Sequence, residues 1–145
     1  MAYDFQVAVD CARPHDLAAW WAETLGWVVE QQDEDFIRKM IAEGYATEAE
    51  TTTYNGGLVW ADGAAIRHPD GPETGHRKRV IFQTVPEPKT IKNRWHIDVW
   101  VGPENVAEQK DKLIARGATF LHEGQQGPHT WVTLADPEGN EFCIS

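Results

Sequence analysis

Two short stretches of the sequence carry metal-ligating side chains on one side of a strand. His96 and Asp98 share a parity in a stretch whose other parity is apolar, and Glu141 and Cys143 do the same near the C-terminus. Successive residues of a strand point to opposite faces, so each pair lies on one face. Imidazole, carboxylate and thiolate all bind divalent ions, so His96 with Glu141 or Cys143 forms a candidate metal site. The alternative is a polar sheet face that is simply exposed to water.

Other catalytic motifs are missing from the sequence. It contains no GxSxG, GxxxxGK, GxGxxG, HExxH or CxxC pattern. The classes of hydrolase, nucleotide-binding protein and zinc protein that carry these motifs are therefore disfavoured. A nucleophilic Cys143 with His96 as its base is a weaker hypothesis. Catalytic cysteines usually lie at a helix N-terminus or turn that lowers the thiol pKa, not in a last strand.

The elements that would position these residues occur twice. A predicted strand from Gln6 leads through Pro14 to a helix ending at Gly26, and 90 residues later a strand from His96 leads through Pro103 to a helix before Gly117. Proline suits a first helical turn and glycine a helix end. Each half continues with three more strands, with a turn predicted over 124–128 in the second half. The order β-α-β-β-β, used twice, predicts an α+β fold with helices on one face of each sheet and a cleft between the halves.

The first half contains an additional segment. We predict a helix over 33–44, a loop over 47–53 and a turn at Asn55 and Gly56. Strands are predicted over 58–61 and 64–67, joined by a turn at Asp62 and Gly63. The extra helix is either a lid or pocket wall, or a cover for a sheet edge.

Composition excludes several classes of partner. The 145 residues carry a net charge of −10, which disfavours binding to nucleic acid or to an anionic membrane surface. No apolar run reaches the roughly 20 residues of a membrane span, and no secretory signal is recognisable. Two cysteines without metal-type spacing indicate a reduced, cytoplasmic protein.

Six stretches together resemble the glyoxalase/bleomycin resistance/dioxygenase (vicinal oxygen chelate) superfamily, and more narrowly the glyoxalase-like proteins common in actinobacteria. They span most of the chain: VDCARP at 9–14, LAAWW at 17–21, LGW at 25–27, FQTVPEPK at 82–89, KNRWHID at 92–98 and DPEGNEFC at 136–143.

The resemblance implies one domain over 1–145. Two βαβββ modules, 1–86 and 95–145, would form a curved mixed sheet with a central cleft, joined by a connector over 87–94. It also implies one divalent metal that acts as a Lewis acid on vicinal substrate oxygens. By position, the metal ligands would be Gln6, Gln83, His96 and Cys143. Cys143 replaces a typical glutamate, and its sulfur favours zinc over magnesium or manganese.

Two functions follow from the resemblance. The first is a metal-assisted lyase, isomerase or dioxygenase in which Glu141 or Asp98 moves protons. The second is a metal-free, drug-sequestering or metabolite-binding protein with aromatic walls from Trp60, Phe82, Trp100 and Trp131. Either protein would bind a small molecule, and family members are commonly homodimers.

Overall fold

The structure is a computed structural model that describes residues 1–71 and 78–145. The chain divides into two compact units, Met1–Pro86 (unit 1) and Glu87–Ser145 (unit 2). Residues 87–94, predicted as a connector, therefore belong to unit 2. No helix within the described ranges is long and apolar enough to cross a membrane.

The described residues of unit 1 form a four-stranded sheet, two α-helices and a separate two-stranded sheet. Its elements are β1 (Val7–Cys11), α1 (Pro14–Leu25), β2 (Val28–Val29), α2 (Glu34–Ala42), β3 (Thr51–Tyr54), β4 (Gly57–Trp60), β5 (Gly63–Arg67) and β6 (Arg79–Thr84). The main sheet has the order β1-β6-β5-β2. The β1–β6 pair is parallel, and the other pairs are antiparallel.

Helix α1 follows its predicted signals. Pro14 occupies the first turn, and Gly26 ends the helix in the left-handed conformation at φ 66°, a conformation that costs glycine little. Its inner side, which includes Leu17, Trp20 and Trp21, is buried. These two tryptophans are therefore core residues.

The additional segment of unit 1 differs from its prediction. The hairpin predicted around Asp62 and Gly63 is wrong, because β4 pairs with β3 whereas β5 pairs with β2 and β6. The predicted turn at Asn55 and Gly56 is present and joins β3 to β4; both residues have positive φ and suit a tight hairpin. Part of the predicted loop over 47–53 is strand β3, where three β-branched threonines favour an extended chain. Helix α2 forms as predicted, and Asp33 accepts a hydrogen bond from the Phe36 amide at its start.

Unit 2 repeats the order of the main sheet. Its elements are β7 (Ile97–Val99), α3 (Val106–Ala115), β8 (Thr119–Gln126), β9 (His129–Ala135) and β10 (Glu141–Ile144), and the sheet order is β7-β10-β9-β8. The β7–β10 pair is parallel. The described residues thus confirm the α+β class and the βαβββ pattern in both units.

Strand β8 is longer than predicted. It continues to Gln126, so the turn predicted over 124–128 shortens to its last residues. Gly124 lies within this strand and pairs with Trp131 of β9. The Trp131 ring occupies the space that a Cβ at position 124 would need, which favours glycine there. This pairing of a glycine with a cross-strand aromatic residue shapes the site described below.

Candidate metal and ligand site

The parallel pairing of β7 and β10 brings three metal-ligating side chains together. Asp98 lies opposite Cys143 in the register, and His96 lies two residues before Asp98, on the same face. The ligand atoms of His96, Asp98 and Cys143 lie within 4.8 Å of one another. His96 Nε2 is 3.2 Å from Asp98 Oδ1. We call these three residues the donor cluster.

The members of the donor cluster differ in exposure. Cys143 is 9% exposed, whereas the His96 and Asp98 side chains are accessible to solvent. Burial is the largest influence on the Cys143 thiol and raises its pKa; the hydrogen bond with Thr133 lowers it, the Asp98 carboxylate raises it again, Lys92 lowers it, and the net pKa is raised. The Cys143 sulfur and the Thr133 hydroxyl share a hydrogen bond of 3.3 Å. The cluster thus opens to solvent on its His–Asp side and is anchored on its sulfur side.

The donor cluster fits a divalent metal ion. Tetrahedral zinc bonds to nitrogen, oxygen and sulfur place neighbouring donor atoms about 3.3–3.7 Å apart. A carboxylate and a thiolate would balance the ion's charge. Three protein ligands with one open position are typical of catalytic zinc.

A cavity of about 370 Å³ lies at the donor cluster, within unit 2. Its lining includes the indoles of Trp100 and Trp131, the imidazoles of His122 and His129, and Lys92. This volume lies at the lower end of the range of small-molecule sites. The cluster therefore lies in a cavity large enough for a small ligand.

Glu141, predicted to transfer protons, also lines the cavity but has other partners. Its carboxylate accepts hydrogen bonds from Lys89 Nζ at 3.0 Å and from the Asn93 amide at 3.1 Å. Burial alone would raise the pKa of Glu141, but the hydrogen bonds from backbone amides and from Lys89 outweigh it, so the pKa is lowered. Glu141 therefore fixes the segment from Lys89 to Asn93 against β10.

The two glutamines predicted as ligands lie in unit 1. The Gln6 side-chain oxygen accepts a hydrogen bond from Arg79 at 2.9 Å, and Arg79 also forms a two-pronged ion pair with Glu30. Gln83 is exposed and lies opposite Asp10 in the register. Their roles as metal ligands stay predictions.

The register also identifies the residues of unit 1 that correspond to the donor cluster. Asp10 opposite Gln83 matches Asp98 opposite Cys143. The position two residues before Asp10, equivalent to His96, is Ala8. Unit 1 therefore has Ala8, Asp10 and Gln83 where unit 2 has histidine, aspartate and cysteine.

The four predicted aromatic wall residues divide between the units. Trp100 and Trp131 line the cavity of unit 2. Phe82 is 1% exposed and belongs to the core of unit 1. Trp60 is half-buried at the end of β4, where its backbone binds the side chains of Gln32 and His15. The ligand-binding roles of Phe82 and Trp60 stay predictions.

Two histidines of the cavity, His122 and His129, were not predicted. A register shift between Phe120 and His122 interrupts the alternation of β8 and places His122 opposite Thr133, another cavity residue. Period-two reasoning assumes an unbroken strand, so it cannot locate a residue beyond a bulge. His129 is the first residue of β9, and it lies between the turn predicted over 124–128 and the next predicted strand.

The duplicated sheets define the class of this protein as a vicinal oxygen chelate fold. The chain belongs to the glyoxalase-like domain family, whose model matches residues 6–145. Among curated proteins, none matches the sequence.

Solved structures with the same fold are distant in sequence. A glyoxalase/bleomycin resistance protein/dioxygenase family enzyme from Burkholderia phytofirmans is 16% identical, with 96% of this chain and 94% of that chain covered and a TM-score of 0.59. A mutant of the fosfomycin resistance protein FosX from Listeria monocytogenes, complexed with Mn(II) and 1S,2S-dihydroxypropylphosphonic acid, is 10% identical. In that comparison 99% of this chain and 91% of that chain are covered, and the TM-score is 0.64. At these identities the likeness shows the fold alone.

Proposed function

We propose that this protein is a metal-dependent enzyme acting on a small oxygen-bearing molecule, and that the donor cluster of unit 2 holds its metal. The observation that carries the proposal is the convergence of His96, Asp98 and Cys143 within 4.8 Å in a ligand-sized cavity. The Mn(II) complex of the distant FosX relative supports a metal in this fold.

The metal we propose is zinc. Thiolate ligands favour zinc over manganese or magnesium, which prefer oxygen donors. A bound zinc ion would supply Lewis-acid polarisation of a substrate oxygen. Because zinc has no redox chemistry, a lyase or isomerase reaction is favoured over a dioxygenase reaction.

The protein residues have separate roles in this proposal. Cys143 is held by Thr133, which orients the sulfur ligand. Glu141 positions the segment that carries Lys92 into the cavity. Proton transfer by Glu141 or Asp98 stays a prediction. The lowered pKa of Glu141 makes it a weak base, which favours positioning as its main role.

The test is cobalt substitution with two histidine variants. Cobalt bound to a thiolate gives a charge-transfer band in the near ultraviolet, which reports on Cys143 directly. We expect the band, with stoichiometric zinc after purification without chelator, in the wild type and in the control His122→Ala, which alters the same cavity outside the cluster. His96→Ala should lose most of the metal. A wild-type protein without metal and without the band would refute the proposal.

A metal-free binding protein is the second candidate. It is favoured by the indoles of Trp100 and Trp131 in the cavity lining. A protein that contains no metal after purification, and whose tryptophan fluorescence nevertheless responds to an aromatic ligand, would support this candidate. A homodimer and a cytoplasmic location stay predictions for both candidates.

A further inference from the structure

Flat, conjugated rings make up much of the lining of the unit 2 cavity. Trp100, Trp131, His122 and His129 all contribute, and His96 of the donor cluster adds a third imidazole. Indole and imidazole faces interact with ligand rings through stacking and edge contacts in addition to burial. Among the residues of 1–71 and 78–145, no branched aliphatic side chain lines this cavity. The cavity therefore presents aromatic ring faces, rather than branched aliphatic groups, to a ligand.

The Trp131 ring is held in place before any ligand arrives. It lies across β8 over Gly124, where a Cβ would overlap the indole. The His129 ring packs beside it with centroids 5.6 Å apart and planes inclined by 31°. A ring whose orientation is fixed in advance loses little conformational entropy when a ligand stacks on it.

Trp100 provides a second indole that is almost entirely in contact with solvent. It is 85% exposed although it lines the cavity. Trp95, five residues earlier, is 90% exposed and is not among the residues that line this cavity. A flat ligand in the cavity would remove apolar indole surface from water at Trp100, which is favourable, but not at Trp95.

The polar residues of the cavity indicate where the ligand's charge lies. Lys92 contributes an ammonium group, and Glu141 is already paired with Lys89. Asp98 and Cys143, as metal ligands, would offset the charge of a divalent ion. Lys92 then leaves this end of the cavity with an excess of positive charge, which favours an anionic oxygen on the ligand.

The volume of the cavity accommodates more than one ring. A cavity of about 150 Å³ holds a single benzene molecule. The unit 2 cavity is more than twice as large, at about 370 Å³. It has room for two fused rings and a carboxylate.

We propose that the ligand of unit 2 is a planar, bicyclic aromatic molecule with an anionic oxygen group. Its rings stack on Trp131 and Trp100, and its oxygens face the donor cluster and Lys92. This inference rests on the proposed function of the same cavity, for which it names the substrate class.

The experiment is isothermal titration calorimetry of the zinc-loaded full chain with three probes. They are 3-hydroxy-2-naphthoate, salicylate and 2-hydroxycyclohexanecarboxylate, which carry the same pair of oxygens on two aromatic rings, one aromatic ring and a saturated ring. We expect affinity to fall in that order. Trp100→Leu should weaken naphthoate binding about tenfold, the scale of one lost stacking contact, and leave the saturated probe unchanged. Trp95→Leu should match the wild type.

Three outcomes would overturn the inference: equal affinity for the naphthoate and the saturated probe, equal effects of the two tryptophan substitutions, or no binding of any probe. Repeating the titration on chelator-treated protein and on His96→Ala separates this inference from the metal proposal. Naphthoate binding that depends on Trp100, in a wild-type protein without metal and without the cobalt band, would sustain the aromatic ligand and refute the metal. A cobalt–thiolate band without preference for aromatic probes would do the reverse.

Discussion

The two units share a sheet order but not a set of metal-ligating residues. In both, the first and last strands of the βαβββ pattern pair in parallel, and an aspartate lies at the same register position, Asp10 in unit 1 and Asp98 in unit 2. The residues around it differ: His96 and Cys143 in unit 2 correspond to Ala8 and Gln83. The backbone arrangement is therefore common to both copies, whereas the proposed chemistry depends on two side chains in one of them.

The largest expected effect is the creation of a site in unit 1. Ala8, Asp10 and Gln83 are exposed, so Ala8→His combined with Gln83→Cys would build a second donor cluster on a matching register. We expect a second equivalent of cobalt and a larger thiolate charge-transfer band, measured by absorption titration. The single variant Ala8→His, which lacks the thiolate, is the control. A folded double variant that binds no additional cobalt would show that register alone does not make the site.

The second comparison uses equivalent phenylalanines. Phe82 in β6 and Phe142 in β10 are each 1% exposed, but Phe142 also lines the cavity. Replacing either with alanine removes a fully buried ring and should lower the free energy of unfolding by about 3–5 kcal/mol, measured by urea denaturation. Only Phe142→Ala should also weaken naphthoate binding. Equal losses of ligand affinity would contradict the assignment of ligand binding to unit 2.

The third comparison uses one partly buried ion pair from each unit. Glu30 pairs with Arg79 in unit 1, and Glu141 pairs with Lys89 in unit 2. Each glutamate-to-glutamine substitution weakens charged hydrogen bonds and should cost about 1–3 kcal/mol of unfolding free energy. Only Glu141→Gln should also alter the cobalt spectrum, because Glu141 lines the cavity and fixes the neighbouring segment. A spectral change in Glu30→Gln would mean that the site extends beyond unit 2.

The repeat in the sequence was sufficient to predict the sheets but not the residue correspondence between them. The sequence repeat aligns Gln6 with His96, whereas the strand register aligns Ala8 with His96. In the second copy a short 3-10 helix, Pro103–Asn105, separates the strand from the helix. The offset between the two helices in the sequence therefore differs from the offset between the two strands. Gln6 instead binds Arg79, a partner that lies 73 residues away in the chain. Hydrogen-bond register and long-range side-chain partners depend on the folded backbone, which residue types alone do not specify.

The smallest expected effect concerns two glycines in strands. At Gly124 a Cβ would overlap the Trp131 indole, whereas at Gly57 the nearest atom to a Cβ is the Tyr54 carbonyl oxygen at 3.8 Å. Gly124→Ala should therefore displace Trp131 and cost about 1–2 kcal/mol, since overpacking outweighs the stabilisation that comes from a lower entropy of the unfolded chain. Gly57→Ala should be neutral or slightly stabilising, because only the lower entropy of the unfolded chain acts there. If Trp131 is the fixed stacking face, Gly124→Ala should also reduce naphthoate affinity several-fold in calorimetry while the cobalt band persists. A Gly124→Ala protein with unchanged affinity would mean that the ligand rings stack on Trp100 alone. The packing of Trp131 over Gly124 would then contribute to the sheet of unit 2 but not to ligand binding.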